Sequence, residues 1–387
     1  MQVTSPAQSG ASTRLLLGAA LAVGAGFRLA EYFLRPSLSV DEATLALNVA
    51  FRSYRGLLAG LDYGQAAPPL FLWAVRFATH VLGANEFGLR AVPLLGGLAL
   101  LLAVWKVTRS LAGPREALLC TWLAACSPTL IQYSVVAKPY ETDALVTTVL
   151  IGYAARAIAT VQSPAAWGQL VVAGAVAILA SIPATLVLAG IGVAVVVGVQ
   201  RVGWYPALAL RLLPAGVVWG GLFVACYFSL YAAQAHSVFM QQFWEAAFLS
   251  PQSHALLPRA GIAAREAIFA AAVGNKLPTV LTVVFLALTG LGLTALARRQ
   301  GPWLAVLVSG PVAFAIAASI FRRYPLYERL MLFSAPLVFL MLASGLGRLA
   351  DRLPRMSKWV FPGVATIWLI VISAIAVTQP RFAPAAR

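Results

Sequence analysis

Apolar stretches close to the length of a membrane crossing recur along almost the whole chain of 387 residues. A helix needs about 20 such residues to cross the hydrocarbon of a bilayer, whereas a barrel strand needs about ten with strict alternation. The stretches are continuous rather than alternating, so we predict helices. The predicted spans are 15–34, 89–107, 117–132, 144–158, 167–180, 184–199, 212–231, 277–296, 303–321, 330–346 and 359–377.

The composition supports the same fold class. Hydrophobic residues make up 61% of the chain and charged residues 10%, and the mean hydropathy is +0.85. Soluble domains average about 45–50% apolar and about 25% charged residues. We therefore predict an all-α polytopic membrane protein of about eleven transmembrane helices, forming one domain over residues 1–387 with no separate soluble domain. Pro183 within 167–199 predicts a hairpin of two short helices there.

The net charge of +16 comes mostly from Lys and Arg in short loops between the apolar spans. Loops of this kind lie on the inner face of a membrane, so no nucleic-acid partner is needed to explain them. With the N-terminus inside, most carboxylates fall on the external face. We expect an integral protein, of a bacterial inner membrane, whose site faces the periplasm or exterior. Cys120, Cys126 and Cys226 lie in apolar spans and are predicted to be buried.

Asp41 and Glu42 are adjacent carboxylates just after the first span, in a chain with only 12 acidic residues. Carboxylates at the edge of a bilayer are costly and commonly functional. Ser39 and Glu42 also fit a capping box, so Glu42 is either a helix cap or a catalytic group. Asp41 would then occupy the first helical turn, where the helix dipole keeps it ionised, as a general base requires. We predict Asp41 and Glu42 as the catalytic candidates, with Asp41 the stronger.

Two long loops, 35–88 and 232–276, are predicted on the external face, and both contain amphipathic sequence. In the first, a helix from Asp41 to about Gly60 would place Leu45, Val49 and Leu57 on its apolar face. The second carries aromatic residues typical of a membrane interface. These are Phe239, Phe243, Trp244 and Phe248. Together the loops are expected to wall a cavity above the bilayer.

Pro68 and Pro69 form a double proline before an apolar segment. Two fixed φ angles end the preceding segment and favour a helix start, so a rigid loop-to-helix junction is the favoured interpretation over direct ligand contact.

Lys138, Tyr140 and Asp143 stand at the external start of the fourth span. A lysine there suits a lipid-linked phosphate, Tyr140 can donate from its hydroxyl, and Asp143 can orient the lysine or bind a divalent metal. The alternative is a lysine and tyrosine reaching the headgroups and acidic residues favouring a helix N-terminus. No cofactor is certain, and a divalent metal is possible; His80, His236 and His254 are too scattered to form a ligand set.

Residues 322–330 form a cationic cluster on the external face, against the positive-inside trend. Phosphate recognition by Arg323 and Arg329 explains it, and the alternative is an ion pair of Glu328 with either arginine.

In these segments the chain resembles the GT-C superfamily of polytopic glycosyltransferases, especially bacterial family 39-like enzymes related to protein mannosyltransferases and the aminoarabinose transferase of lipid A. The resemblance rests on four short motifs in order along the external face. They are Asp41-Glu42, Pro68-Pro69 with Leu70-Phe71-Leu72, Lys138-x-Tyr140-x-x-Asp143, and Arg329-Leu330-x-Leu332-Phe333-x-x-Pro336.

This resemblance implies a polyprenyl-phosphate-linked sugar donor, an extracytoplasmic lipid, glycan or protein acceptor, and inverting transfer of a hexose or pentose. It assigns the base to Asp41 and the phosphate contacts to Lys138 and Arg329. Gln65 departs from the pattern, because relatives often place Lys or His just before the prolines. A transporter or flippase for a lipid-linked sugar, or a noncatalytic subunit with the same fold, are the alternatives.

Overall fold

The computed structural model describes residues 6–34, 37–200, 206–249 and 279–352, and every regular element within these ranges is helical. The first nine α-helices are α1 (Pro6–Leu34), α2 (Val40–Phe51), α3 (Pro69–Leu82), α4 (Glu86–Leu111), α5 (Pro114–Ala125), α6 (Pro128–Tyr133), α7 (Tyr140–Ala159), α8 (Pro164–Ala180) and α9 (Ala184–Val199). The remaining ones are α10 (Pro206–Cys226), α11 (Ala232–Ala235), α12 (Val238–Phe243), α13 (Thr279–Gln300), α14 (Pro302–Ile320) and α15 (Ala335–Arg352).

Shorter turns complete these elements. A π-helical turn, Tyr227–Tyr231, extends α10, and 3-10 helices occupy Gly56–Leu58, Glu245–Ala247 and Glu328–Ser334.

Several helical segments have the length and apolar composition to cross a membrane, so the chain is an integral membrane protein with the expected all-α fold. Seven such segments occur in the described ranges: Ser12–Leu34, Glu86–Leu111, Tyr140–Ala159, Leu212–Tyr231, Thr282–Gln300, Pro302–Ile320 and Glu328–Arg352. Three apolar helices, Pro69–Leu82, Pro164–Ala180 and Ala184–Val199, are shorter. The count of about eleven crossings stays a prediction, and the expected span 359–377 lies outside the described residues.

The predicted span 117–132 is wrong as a single helix, because α5 ends at Ala125 and α6 begins at Pro128. Pro128 has no N–H to continue the ladder, and the Ser127 hydroxyl caps the new helix by accepting from the Leu130 N–H at 3.3 Å. The carbonyls at the end of α5, which have no partner within that helix, accept hydrogen bonds from a side chain of α1. Arg28 donates to the oxygens of Ala124 at 3.2 Å and Ala125 at 3.4 Å.

The same Arg28 joins α1 to α7 through a buried ion pair. Its Nη2 lies 3.5 Å from Oε1 of Glu141, and both side chains are wholly excluded from solvent. Gly97 of α4 provides the space, since a Cβ there would lie 2.9 Å from Glu141 Oε1 and 3.0 Å from Arg28 Nε. A buried charge needs a paired and hydrogen-bonded partner, so this contact fixes the register of three helices.

The helix predicted from Asp41 to about Gly60 is shorter in the structure. Helix α2 ends at Phe51, where Arg52 takes an extended conformation and donates to the carbonyls of Gly56 at 3.2 Å and Gly60 at 2.8 Å. The expected apolar face is confirmed, because Leu45, Val49 and Leu57 are all buried.

Two other predictions agree with the fold. The hairpin within 167–199 is confirmed, since α8 ends at Ala180 and α9 begins at Ala184, after Pro183. The three cysteines are buried and free, as expected.

Helices α9 and α14 cross closely, because a Cβ on Gly190 would lie 2.9 Å from the Gly310 carbonyl carbon. Small residues at such crossings let membrane helices approach closely.

Candidate active site

Asp41 lies in the first turn of α2, and the capping box sets its position. The Ser39 hydroxyl accepts from the Glu42 N–H at 3.3 Å, and Glu42 Oε2 accepts from the Ser39 N–H at 3.0 Å. Both ends of the motif are therefore fixed, and Asp41 between them is directed away from the cap. Its side chain is 36% exposed, so it remains open to a bound molecule.

Two cations and one amide surround the Asp41 carboxylate. Lys138 Nζ lies 2.9 Å from Oδ1, and Arg329 Nη1 lies 3.5 Å from Oδ2. The Gln65 amide donates to Oδ1 at 3.4 Å, while its own oxygen accepts from Lys138. The structure thus brings together Asp41, Lys138 and Arg329, which sequence analysis had selected from three separate segments.

A second pair of contacts explains why Lys138 reaches Asp41. Glu42 Oε1 accepts from the Ala137 N–H at 2.9 Å, so two consecutive residues of α2 bind two consecutive residues of the segment before α7. The side chain of Lys138 is only 5% exposed. A lysine buried to this degree needs a carboxylate partner, and the backbone contact of Ala137 places it beside one.

Glu42 itself is occupied by the scaffold. Arg90 of α4 donates from Nε to Oε1 at 3.1 Å and from Nη2 to Oε2 at 3.2 Å, with both side chains nearly buried. With Ser39 and Ala137 also bound, the oxygens of Glu42 face protein donors. This geometry favours the capping interpretation of Glu42 over a catalytic one and makes Arg90 its partner across two helices.

Arg329 reaches Asp41 from the 3-10 helix that precedes α15. Its guanidinium carbon lies 5.6 Å from the ring centre of Trp244 and 5.8 Å from that of Tyr327, within the range of cation–π attraction. Trp244 and Tyr327 also pack against each other edge-on at 5.4 Å. These rings restrict the arginine while leaving it 27% exposed.

The two long loops meet around this site. A Cβ on Gly64 of the first loop would lie 3.0 Å from the Met240 methyl of the second. Leu326 donates to the Ala247 carbonyl at 2.9 Å, which ties the second loop to the segment of Arg329. Phe239 and Phe243 are exposed there, whereas Phe248 is buried. The part of the second loop beyond residue 249 lies outside the described residues up to 278.

The charges of the site perturb its titration. Burial would raise the pKa of Asp41, but the charge and hydrogen bond of Lys138, followed by the charge of Arg329, outweigh it and hold that pKa below 3.8. Burial lowers the pKa of Lys138 from 10.5, and the Asp41 carboxylate opposes this only in part. Burial also raises the pKa of Tyr133, which faces the same charges. At neutral pH, Asp41 is therefore an anion.

Tyr140 and Asp143 open α7 beside the site. Tyr140 packs edge-on against Tyr133, with ring centres 5.4 Å apart. Asp143 is buried, and its Oδ1 makes no hydrogen bond with any described residue. The expected orienting contact from Asp143 to Lys138 does not form in the described structure, because the Lys138 ammonium donates to Asp41 and Gln65 instead.

Pro68 and Pro69 form the loop-to-helix junction that their sequence favours. Pro68 is the N-cap of α3 and Pro69 is its first residue. Both are buried, and they fix the chain that leads back to Gln65. Arg323 is exposed at the surface, and in the described residues no ion pair joins it to Asp41. The structure therefore separates Arg323 from the cations that hold this carboxylate.

Within the described ranges, no group of three or more His, Cys, Asp or Glu side chains is arranged to hold a metal. The possible divalent metal considered for Asp143 thus has no identified ligand set in this part of the chain. Asp41 faces cationic side chains, an arrangement suited to an anionic ligand rather than to a metal.

Sequence reasoning missed Gln65, Arg90, Tyr133 and Trp244 as neighbours of the site. Gln65 had stood out only as a departure from the family pattern. Trp244 carried a signal as one of several interfacial aromatics, but its sequence distance from Arg329 concealed the contact. No sequence signal pointed to Arg90, because a single arginine near the start of an apolar span is normally explained by the membrane interface.

Comparison with known proteins concerns the fold that carries these residues. Residues 66–219 match the family described as dolichyl-phosphate-mannose-protein mannosyltransferase. No curated protein matches the chain in sequence.

The fold is similar to two groups of solved structures. ArnT from Cupriavidus metallidurans bound to undecaprenyl phosphate has a TM-score of 0.58 and 17% identity, over 96% of this chain and 66% of that one. The Archaeoglobus fulgidus oligosaccharyltransferase in complex with zinc and sulfate has a TM-score of 0.56 and 15% identity, over 96% and 54%.

The chain therefore spans about half to two thirds of the length of these proteins. The oligosaccharyltransferase AglB of Archaeoglobus fulgidus, in complex with an inhibitory peptide and a dolichol-phosphate, aligns with a TM-score of 0.53 at 13% identity, over 94% of this chain and 55% of that one. Identities this low show the fold alone. The chain has the expected GT-C-like fold, and the mannosyltransferase family model matches residues 66–219, which is less than half of the chain.

Proposed function

We propose that this protein is a membrane glycosyltransferase that moves a sugar from a polyprenyl-phosphate donor to an acceptor on the external face, with Asp41 as the general base. The observation that carries the proposal is the Asp41 carboxylate held between Lys138 and Arg329 where the membrane helices begin. The similarity to structures with bound undecaprenyl phosphate and dolichol-phosphate supports the class of donor.

The donor phosphate would bind the two cations. In the free protein their charges are partly neutralised by Asp41, and a phosphate oxygen is a competing partner for both. As Lys138 and Arg329 turn to the phosphate, their hold on Asp41 weakens and the pKa of that carboxyl rises toward its ordinary value. Donor binding would thereby convert a weak, ion-paired base into a stronger one.

The chemistry then follows from charge development. The acceptor hydroxyl or amine attacks the anomeric carbon and passes its proton to Asp41. The bond from that carbon to the phosphate oxygen breaks, and its electron pair stays on the phosphate. The leaving group gains a negative charge, so the cations bind it more strongly in the transition state than in the ground state. A single displacement inverts the anomeric configuration.

A membrane-bound donor also suits the position of the site. Its polyprenyl chain stays in the hydrocarbon, while the sugar and phosphate reach Lys138 just before α7 and Arg329 just before α15. The exposed Phe239 and Phe243 of the second loop are typical of a membrane interface and would lie near the headgroups. The external orientation rests on the distribution of basic loops.

The test is sugar transfer by the purified protein, preceded by mass spectrometry of the lipid that copurifies with it. We expect a polyprenyl phosphate or its glycosylated form to copurify. With a panel of polyprenyl-phosphate sugars and an envelope lipid extract as acceptor, wild-type protein should form a glycosylated product that Asp41→Asn does not form. Donor binding with no Asp41-dependent product would instead indicate a carrier for the lipid-linked sugar and would contradict the enzymatic proposal.

A further inference from the structure

A membrane-facing groove runs along α4, α7 and α8, and no step of the proposed transfer uses it. It consists of two cavities of about 850 Å³ and 610 Å³ that share the lining residues Leu145, Val149 and Tyr153. The walls are apolar and open outward, since Val172 is 63% exposed and Leu102 is 49% exposed. Surfaces of this kind on a membrane helix face lipid chains.

Two cations line the larger cavity at one end of the groove. Lys106 of α4 and Arg156 of α7 are both exposed, and none of the described residues that line either cavity is acidic. Gln300 lies at the same end and adds an amide. Two positive charges without an acidic residue among the described lining side chains favour the binding of an anion.

The positions of these cations place them far from Asp41. Arg90 near the start of α4 binds Glu42, and Tyr140 opens α7 beside Lys138. Lys106 follows Arg90 by sixteen residues, and Arg156 follows Tyr140 by sixteen, so each lies about 24 Å further along its helix. The cations therefore share one depth, at the membrane face opposite the candidate active site.

The helices that bear them are held together close by. A Cβ on Gly152 of α7 would lie 2.9 Å from the Val107 side chain of α4, so the two helices approach closely within about one turn of the cations. The spacing between Lys106 and Arg156 is thus set by helix packing rather than by flexible loops. A preformed pair of charges loses less entropy on binding.

We propose that this groove binds one anionic glycerophospholipid, with its phosphate between Lys106 and Arg156 and its acyl chains along the groove walls. Basic pockets between membrane helices recognise anionic headgroups, and the apolar walls continue from the cations along the helices. A neutral phospholipid lacks the net negative charge that this pair of cations demands. The site is independent of the transfer reaction and of the residues around Asp41.

Native mass spectrometry of the full chain in detergent tests this proposal, with phosphatidylglycerol and phosphatidylcholine of the same acyl chains as probes. We expect wild-type protein to retain phosphatidylglycerol at least fivefold more than phosphatidylcholine. Lys106→Ala with Arg156→Ala should reduce that retention at least fivefold. The matched control, Arg109→Ala with Arg352→Ala, removes the same charge from exposed positions outside the groove and should stay within twofold of wild type.

A second variant tests the groove without changing charge. Gly168 lines the smaller cavity, and a Cβ there meets no atom within 4 Å, so Gly168→Leu fills the groove without straining the helix. We expect it to reduce retention of phosphatidylglycerol at least threefold. Equal retention of the two lipids by wild type, or an equal loss in the control pair, would overturn the proposal. So would displacement of the bound lipid by an equimolar polyprenyl phosphate.

Discussion

Lys138 and Asp41 are ion-paired at 2.9 Å, and their immediate neighbours Ala137 and Glu42 are hydrogen-bonded at the same distance. The carboxylate and the cation are thus positioned by one double contact between α2 and the segment before α7. Glu42 holds the backbone, and Asp41 receives the charge. Two adjacent carboxylates consequently differ in their surroundings, since Glu42 is buried against Arg90 and Asp41 is partly exposed beside Lys138.

Asp41→Asn is expected to lower transfer by about 10²- to 10⁴-fold, the contribution of a positioned general base. The substitution keeps the size of the side chain and removes its basicity. Donor affinity should not fall, because the two cations remain and no longer pair with a competing carboxylate. Initial rates at saturating donor, together with a lipid-binding assay, measure both quantities.

Asp62→Asn is the matched control for this variant, since Asp62 is exposed and pairs with Arg52 rather than with a site residue. Its rate should equal that of wild type. Activity of Asp41→Asn within a fewfold of wild type would exclude Asp41 as the base.

Lys138→Ala and Arg329→Ala should each weaken donor binding by about 1.5 to 3 kcal/mol, the scale of a hydrogen bond to a charged group. That range corresponds to roughly 10- to 150-fold in dissociation constant. Titration of a fluorescent polyprenyl phosphate into protein in nanodiscs gives the constant directly. Arg323→Ala removes an exposed arginine from the same cluster and is expected to cost about 0 to 1 kcal/mol.

If Arg323→Ala proved as costly as Arg329→Ala, the phosphate would be bound by the whole cationic cluster. That result would contradict a phosphate site formed specifically by Lys138 and Arg329 beside Asp41.

The pH dependence of donor binding should be asymmetric. Burial lowers the pKa of Lys138 from 10.5, so its charge, and with it donor affinity, is lost as pH rises through a value below that of a free lysine. The Asp41 carboxyl, with its pKa lowered from 3.8, stays ionised until the medium is strongly acidic. Its contribution to stability is present above its unfolded value and is lost as pH falls through the lowered one.

Lys138→Arg provides the control, because guanidinium stays charged throughout this range. In this variant, the loss of donor affinity at alkaline pH should move to a higher pH or vanish. If donor affinity fell at the same alkaline pH in this variant as in wild type, the titrating group would be a residue other than Lys138.

Glu42→Gln is expected to destabilise the fold by about 3 to 5 kcal/mol, because Arg90 would keep a buried charge without its partner. Thermal unfolding in detergent measures the loss. Transfer at low temperature, where the variant is folded, should recover to at least a third of the wild-type rate. A complete loss of transfer by a folded Glu42→Gln protein would give Glu42 a direct catalytic role.

Gly97→Ala should lower stability by about 1 to 3 kcal/mol, the usual cost of overpacking, since its Cβ would press on Arg28 and Glu141. Gly26→Ala is the matched control on a helix surface, where no atom lies within 4 Å of the new Cβ. There the loss of glycine flexibility should stabilise the helix by about 0.5 to 1 kcal/mol. Equal melting temperatures for the two variants would contradict the tight fit around the Arg28 pair.

Local signals in the sequence determined much of the architecture. Long apolar stretches specified membrane helices, because such segments must satisfy their backbone hydrogen bonds internally. The capping box at Ser39 and Glu42 set the start of α2, and the double proline set the start of α3. Each of these depends on residues within a few positions of one another, so the pattern could be interpreted without a fold.

Only the tertiary structure decided how distant segments meet. The Ala125 carbonyl at the end of α5 accepts a hydrogen bond from Arg28, which lies 97 residues earlier. No local sequence pattern predicts that contact. The place of Gln65 between Asp41 and Lys138 likewise depends on three segments packing together. Sequence proximity carries no information about such contacts. Which residues of a chemically suitable set share one site is therefore fixed by helix packing, and that packing includes Lys138 and Arg329 while leaving Arg323 at the surface.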